Sequence, residues 1–178
     1  ASPAAATTTV KQAATAAPPV NVGAMGVGEL LNEARNAISQ QRYLAPAGNN
    51  AFEFYLRVLE MDPGNKVASD ALRETFPFAA NSAEQAINAR EFGEAQRQIE
   101  LLSKADPANY TLTILRSKLD AQRKTLDREQ QLALEQQRNA QLAQQRAESE
   151  RRAAELAEQQ KAEQLAAEQA RAAEQARM

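Results

Sequence analysis

The chain has 178 residues, 21 basic against 23 acidic, with a formal charge of -2 and a mean hydropathy of -0.58. It has no histidine, cysteine or tryptophan, which removes the commonest general base, thiol chemistry and the usual nitrogen and sulfur ligands of zinc, copper and haem iron. Near-balanced charge offers no global field to gather DNA or an anionic membrane, so nucleic acid is disfavoured as a partner.

Aromatics make up only 4% of the residues, and much of the remaining apolar content is alanine, which buries little surface. The expectation is one folded region with extensions. No run of about 18 apolar residues is present, and the start lacks the basic flank and leucine-rich stretch of a signal peptide. The chain is read as a segment of a longer protein, with any membrane anchor outside it.

Residues 1–26 are mostly Ala, Thr, Pro, Val and Gly, without an apolar period of 2 or 3.6. Such a composition cannot offset its ordering entropy, so the segment reads as a disordered, flexible linker, partly extended near Pro18 and Pro19. Residues 27–119 hold almost all the bulky apolar side chains and are expected to form the folded domain.

Val27, Leu30, Leu31, Ala34, Ala37 and Ile38 recur at spacings of three and four, the signature of one helix face, and predict a first helix ending near Arg42. Asn50 with Glu53 resembles a capping box, opening a second helix lined by Ala51, Phe54, Tyr55, Val58 and Leu59. Asp62-Pro63-Gly64-Asn65 stops it. Phe52, Phe54 and Tyr55 are near neighbours on that helix, so at least one is expected to be exposed, either at a partner-binding surface or under a neighbouring segment.

A third helix begins near Lys66, with Ala68, Ala71, Leu72 and Thr75 on one face, and resumes through Ala79, Ala83, Ala86 and Ile87. Pro77 lies between, and predicts a kink or a division into two short helices. After the turn at Arg90-Glu91-Phe92 a fourth helix places Ala95, Ile99 and Leu102 inward, until Asp106-Pro107-Ala108-Asn109 ends it. From Tyr110 onward there is neither glycine nor proline, and residues 120–178 are mostly helix-forming Ala, Gln, Glu and Arg. A continuous helix over that length spans on the order of 100 Å.

The two Asp-Pro stops lie 44 residues apart, with Ala51 and Ala95 each 12 residues before its proline. Arg90-Glu91-Phe92-Gly93-Glu94-Ala95, then Ile99, Leu102 and Asp106-Pro107, resembles the second half of a tetratricopeptide repeat. The pattern has a physical basis: small alanines let antiparallel helices approach, the aromatic fills the turn, and Asp-Pro ends one hairpin and starts the next. The fold class implied is all-α, with tetratricopeptide-like hairpins followed by one long helix. The first unit carries an insertion, Tyr43-Leu44-Ala45-Pro46-Ala47-Gly48-Asn49. Two repeats need a cap, which the start of the last helix supplies through Leu112, Ile114, Leu115 and Leu119.

The stretch from Gly28 to about Lys124 also resembles the periplasmic repeat region of some TonB-type energy transducers of Gram-negative bacteria. It does so through Pro46-Ala47-Gly48-Asn49-Asn50-Ala51, Phe76-Pro77-Phe78 and Tyr110-Thr111-Leu112-Thr113-Ile114-Leu115-Arg116. In that family a membrane helix precedes a periplasmic linker, and a carboxy-terminal domain grips outer-membrane receptors. The resemblance implies a periplasmic protein-interaction segment of an inner-membrane-anchored protein, with motor and receptor as partners of parts outside this chain. It transfers no receptor-contact residue. The tail from Arg123 is similar to the long Ala/Lys/Glu/Gln helix of TolA-type envelope proteins.

Leu119, Leu126, Ala133, Ala140, Ala147 and Ala154 fall at seven-residue spacing, but the companion positions Gln122, Glu129 and Gln136 are polar. The tail is therefore either a solitary helix or a weak homomeric coiled coil, supported by pairs such as Glu148 with Arg152 and Glu174 with Arg177. Asp62, Glu60 and Asp106 lie at helix ends, where carboxylates serve turns. Gly23, Gly26 and Gly28 lack the lysine and hydroxyl of a phosphate loop. Asn109-Tyr110-Thr111 matches a glycosylation sequon, at a position where Asn should cap the next helix. No catalytic, cofactor-binding or metal-binding residue is nominated, an enzyme is not expected, and the partner-binding residues are left open. A generic tetratricopeptide scaffold or peptide-binding module in a cell-envelope assembly is the alternative to a transducer.

Overall fold

The computed structural model describes residues 18–178; the linker expectation for residues 1–17 lies outside them. The described residues form an all-helical fold: a 3-10 turn at Val22–Ala24, then α1 (Val27–Ser39), α2 (Ala51–Met61), α3 (Lys66–Asn88), α4 (Phe92–Ala105) and α5 (Tyr110–Arg177). Two compact units divide at Lys124 and Thr125. The first runs five residues past the expected boundary at Leu119, because Arg123 still holds the α4 side: its guanidinium stacks 6.0 Å over the Phe92 ring and donates to Gln96 at 2.7 Å.

In the first unit, α1 pairs with α2 and α3 with α4, while α2 also packs on α3 and α4. That central place explains the aromatics. Phe52 and Phe54 are 0% exposed and Tyr55 2%; none of the three is exposed, which corrects that expectation, and of the two alternatives it is packing under neighbouring segments, not a partner-binding surface, that is found. An isolated hairpin would leave one side of α2 wet, but α1, α3, α4 and the inserted loop enclose it. Burial of each large side chain stabilises the unit by roughly 2–3 kcal/mol. Ala51 and Ala95, the repeated small residues, are both fully buried, as are Ala34, Ala68, Ala79 and Ala83; small side chains let the helix axes close up.

The two Asp-Pro stops are built alike. The Asn65 amide hydrogen-bonds the Asp62 carbonyl at 3.0 Å and that of Asn109 the Asp106 carbonyl at 3.2 Å. Each Asn side chain donates to the Asp carboxylate at 3.1 Å and accepts from the helix it opens, Asn65 from the Ala68 N–H and Asn109 from the Thr111 N–H. Asn109 is thus the helix cap its position suggested.

The helix ends before the hairpin turns also match. At the end of α1 the Arg42 N–H reaches the Ala37 carbonyl and the Gln41 N–H that of Ile38; at the end of α3 the Glu91 N–H reaches Ala86 and the Arg90 N–H reaches Ile87. These are Schellman closures. They place Gln41 at φ 57° and Arg90 at φ 60°, the left-handed region usually left to glycine. This is why α1 stops at Ser39, three residues earlier than its apolar pattern suggested.

Pro77 does not divide α3, which runs unbroken from Lys66 to Asn88. The missing N–H deprives only the Arg73 carbonyl of its helix donor, and the flanking turns stay anchored by buried Leu72, Phe76, Ala79 and Ala80. Residues 18–26, read as linker, also differ from expectation. Val20, Val22 and Met25 pack partly buried against the core, and the Val20 N–H reaches the Gly48 carbonyl at 3.3 Å. The composition reads as linker because it contains no helical period; the ordering comes from the inserted loop it lies upon.

In the second unit, Leu126 is half-buried and every side chain from Asp127 to Met178 is exposed. The unit's 54 residues amount to about 80 Å at 1.5 Å per residue. Leu132 and Leu134 lie about 160° apart around the axis and Leu156 and Leu165 about 180°, so no single apolar face forms. Glu148 pairs with Arg152 at 2.6 Å and Arg151 with Glu155 at 3.8 Å, contacts worth a few tenths of a kcal/mol each.

Candidate functional site

Two arrangements in the first unit go beyond core packing. The first is a polar network that fixes the inserted loop. Asn50 accepts from the Glu53 N–H at 3.0 Å, the forward half of the expected capping box. The Glu53 carboxylate instead takes the Gly48 N–H at 2.5 Å. From α4, Arg97 donates to the Leu44 carbonyl at 2.6 Å, to Glu94 at 2.9 Å and to Glu53 at 3.4 Å. Gln98 joins Glu94 at 2.8 Å and receives the Ser82 hydroxyl at 3.2 Å.

Arg97 therefore ties the loop and α2 of the first hairpin to α4 of the second. Its hydrogen bonds hold the Glu94 carboxyl below the ordinary carboxylate range, against the opposing effect of partial burial, and Glu94 in turn raises Arg97. On the other side of the loop, Arg42 donates to the Asn49 carbonyl at 2.7 Å and to its side-chain oxygen at 2.5 Å. Burial pushes the Tyr55 phenol up.

The second arrangement is a groove of about 380 Å³ between α3 and the first turns of α5. Phe76, Pro77, Ala80, Ile114 and Leu115 supply its apolar surface, and Arg73, Asn81 and Lys118 its polar rim. Lys118 and Glu84 form an ion pair between the two helices. Ile114, expected in the capping set with Leu112, Leu115 and Leu119, is instead 40% exposed, whereas the other three are buried. Beside Pro77, Phe78 is 60% exposed and stacks on Tyr43 of the inserted loop, with ring centroids 5.9 Å apart and planes 16° apart.

Of the residues weighed for chemistry, Asp62 and Asp106 are helix C-caps engaged with Asn65 and Asn109, and Glu60 pairs with Arg57 at 2.7 Å. The structure brings none of these together. Among the described residues no group of three or more carboxylates is placed to hold a metal ion, and no helix is long and apolar enough to cross a membrane. Arg97, Glu94, Asn49 and the Tyr43 and Phe78 pair were missed from sequence. The Glu94 and Arg97 spacing of three was the visible signal, but it resembles any surface pair until the loop is placed above it. The chain matches no protein-family profile, no curated protein and no solved structure.

Proposed function

We propose that this chain is the periplasmic spacer and tetratricopeptide-like protein-interaction module of a TonB-type energy transducer. It would couple an inner-membrane motor to outer-membrane transport, with the membrane anchor and the receptor-gripping domain lying outside this segment. The observation that carries the reading is that two like-built helical hairpins are followed in the chain by a helix whose side chains from Asp127 onward are all exposed. Repeated stops at Asp62 and Asp106, repeated left-handed closures at Gln41 and Arg90, and buried Ala51 and Ala95 support a repeat architecture. The exposed helix from Asp127 supports a role in spanning distance, since reach needs length and stiffness rather than a binding face. The role is mechanical and non-enzymatic.

The test uses the full-length protein in its own cells. Removing blocks of the 125–178 helix should lower receptor-dependent uptake progressively with length. Replacing the helix by a scrambled Ala/Glu/Gln/Arg helix of equal length should leave uptake unchanged. Uptake insensitive to shortening would refute the spacer.

The groove between α3 and α5 favours a second reading, a peptide-binding or scaffold module in a cell-envelope assembly. Ile114 is exposed at a place where a cap would bury it. Under that reading Ile114→Asp abolishes partner capture while helix shortening has no effect.

A further inference from the structure

We propose that residues 18–25 form a detachable latch on the first helical unit, the first element to leave under tension from the amino-terminal side, lengthening the chain without unfolding the repeats. The latch is a property of the chain that goes beyond the spacer reading and does not depend on it.

The segment is ordered by a small set of contacts made to one place. The Asn49 side-chain amide donates to the Pro18 carbonyl at 2.9 Å, and the Val20 N–H donates to the Gly48 carbonyl at 3.3 Å. Gly48, at φ 78°, lets the segment come close: a Cβ there would sit 3.2 Å from the Pro19 Cβ. Val22 and Gly23 then form one wall of a groove of about 360 Å³ whose other walls are Leu56, Arg57, Leu101 and Lys104 of α2 and α4. Pro18 to Gly26 carries no charged side chain, so apolar contact and two loop hydrogen bonds are what hold it among the described residues.

The surface beneath is held differently. Gly48 and Asn49 are fixed from below by Glu53 and Arg42, and the loop by Arg97. The Ala51 and Phe52 amides are bonded to Arg42 and Tyr43. A load entering from the amino-terminal side meets the latch before α1, and the receiving surface keeps its own internal bonds once the latch has gone. Local opening of weakly held segments at far lower cost than global unfolding is the usual behaviour of such elements.

The experiment is single-molecule force spectroscopy on the full chain, with handles on cysteines introduced at Ala1 and Lys124. A first, low-force step of at most about 28 Å, the extended length of the eight latch residues, should precede the cooperative loss of the helical unit. In the Val20→Asp, Val22→Asp double variant that step should vanish while the main event keeps its force. Absence of an early step in the parent, or its persistence in the double variant, overturns the latch. Native-state hydrogen exchange supplies the second readout: the Val20 amide should exchange at least about 100-fold faster than those of Ala51 and Phe52. Equal rates would mean that the segment opens only with the whole unit. Either failure leaves the spacer proposal standing, since that is read by uptake.

Discussion

Arg97→Met is the substitution that most directly tests how the two hairpins are joined. It keeps most of the side-chain volume but removes the donors to the Leu44 carbonyl, Glu94 and Glu53. Two carboxylates are left facing one another's neighbourhood without their cation, and a loop carbonyl loses its partner. Breaking a fully buried pair in this way costs about 3–5 kcal/mol. Here Arg97 and Glu53 are each 26% exposed and Glu94 33%, so water offsets part of the loss and the expected cost is about 2 kcal/mol. For a unit of this size that lowers the melting temperature by roughly 8 °C. Tyrosine fluorescence is the suitable probe, because Tyr43, Tyr55 and Tyr110 all precede Thr125 and the helix from Thr125 onward contributes no aromatic signal. Combination with Glu94→Gln in a double-mutant cycle should show coupling of about 1 kcal/mol or more. A cost for Arg97→Met below about 0.5 kcal/mol, the range of ordinary surface changes, would refute the idea that this guanidinium joins the hairpins.

Gln41→Gly should stabilise the unit by about 0.5–1 kcal/mol in urea denaturation, because it relieves a left-handed residue at a Schellman closure; destabilisation would mean the Gln41 side chain matters more than its backbone. Deleting residues 125–178 should leave the tyrosine-monitored melt unchanged. Deleting from Arg123 should keep the unit folded but lower its stability by about 1 kcal/mol through loss of the Phe92 and Gln96 contacts. In acid, the depressed Glu94 carboxyl gives stability that is complete above the unfolded glutamate value of about 4.3 and is lost as pH falls through the lower folded value. Glu94→Gln should therefore flatten the pH dependence of stability below about pH 4.3; an unchanged acid profile would contradict that origin.

The helices were legible because each carries a period or a stop written in side-chain chemistry. Alternating spacings of three and four marked α1, and Asp62-Pro63 and Asp106-Pro107 marked the ends of α2 and α4. The asparagines that close those turns were legible for the same reason, since a short polar side chain at that place has one job. What stayed hidden depended on contacts distant in sequence. The full burial of Phe52, Phe54 and Tyr55 follows from α2 being surrounded, which no property of α2 alone reveals. The ordering of residues 18–25 depends on a loop some 30 residues away. Pro77 illustrates the opposite balance: a local rule against helix continuation is outweighed by buried neighbours on both sides. Gln41 and Arg90 escaped notice because the left-handed turn was taken by residues other than glycine. The groove at Ile114 was obscured because an apolar residue in a capping helix reads as core until its exposure is seen.

The spacer proposal calls for a continuous, solitary helix from Thr125 onward, and the absence of native cysteine makes this directly measurable by spin labelling. Labels on cysteines at Ala140 and Ala170, in a chain diluted with unlabelled protein, should give one distribution centred near 45 Å, the rise of a straight helix over that interval. Chains labelled at Ala140 alone should show no dipolar distance in undiluted samples. A shorter or multiple distribution in the first case, or a sharp intermolecular distance in the second, would show that the helix breaks or pairs and would contradict the account.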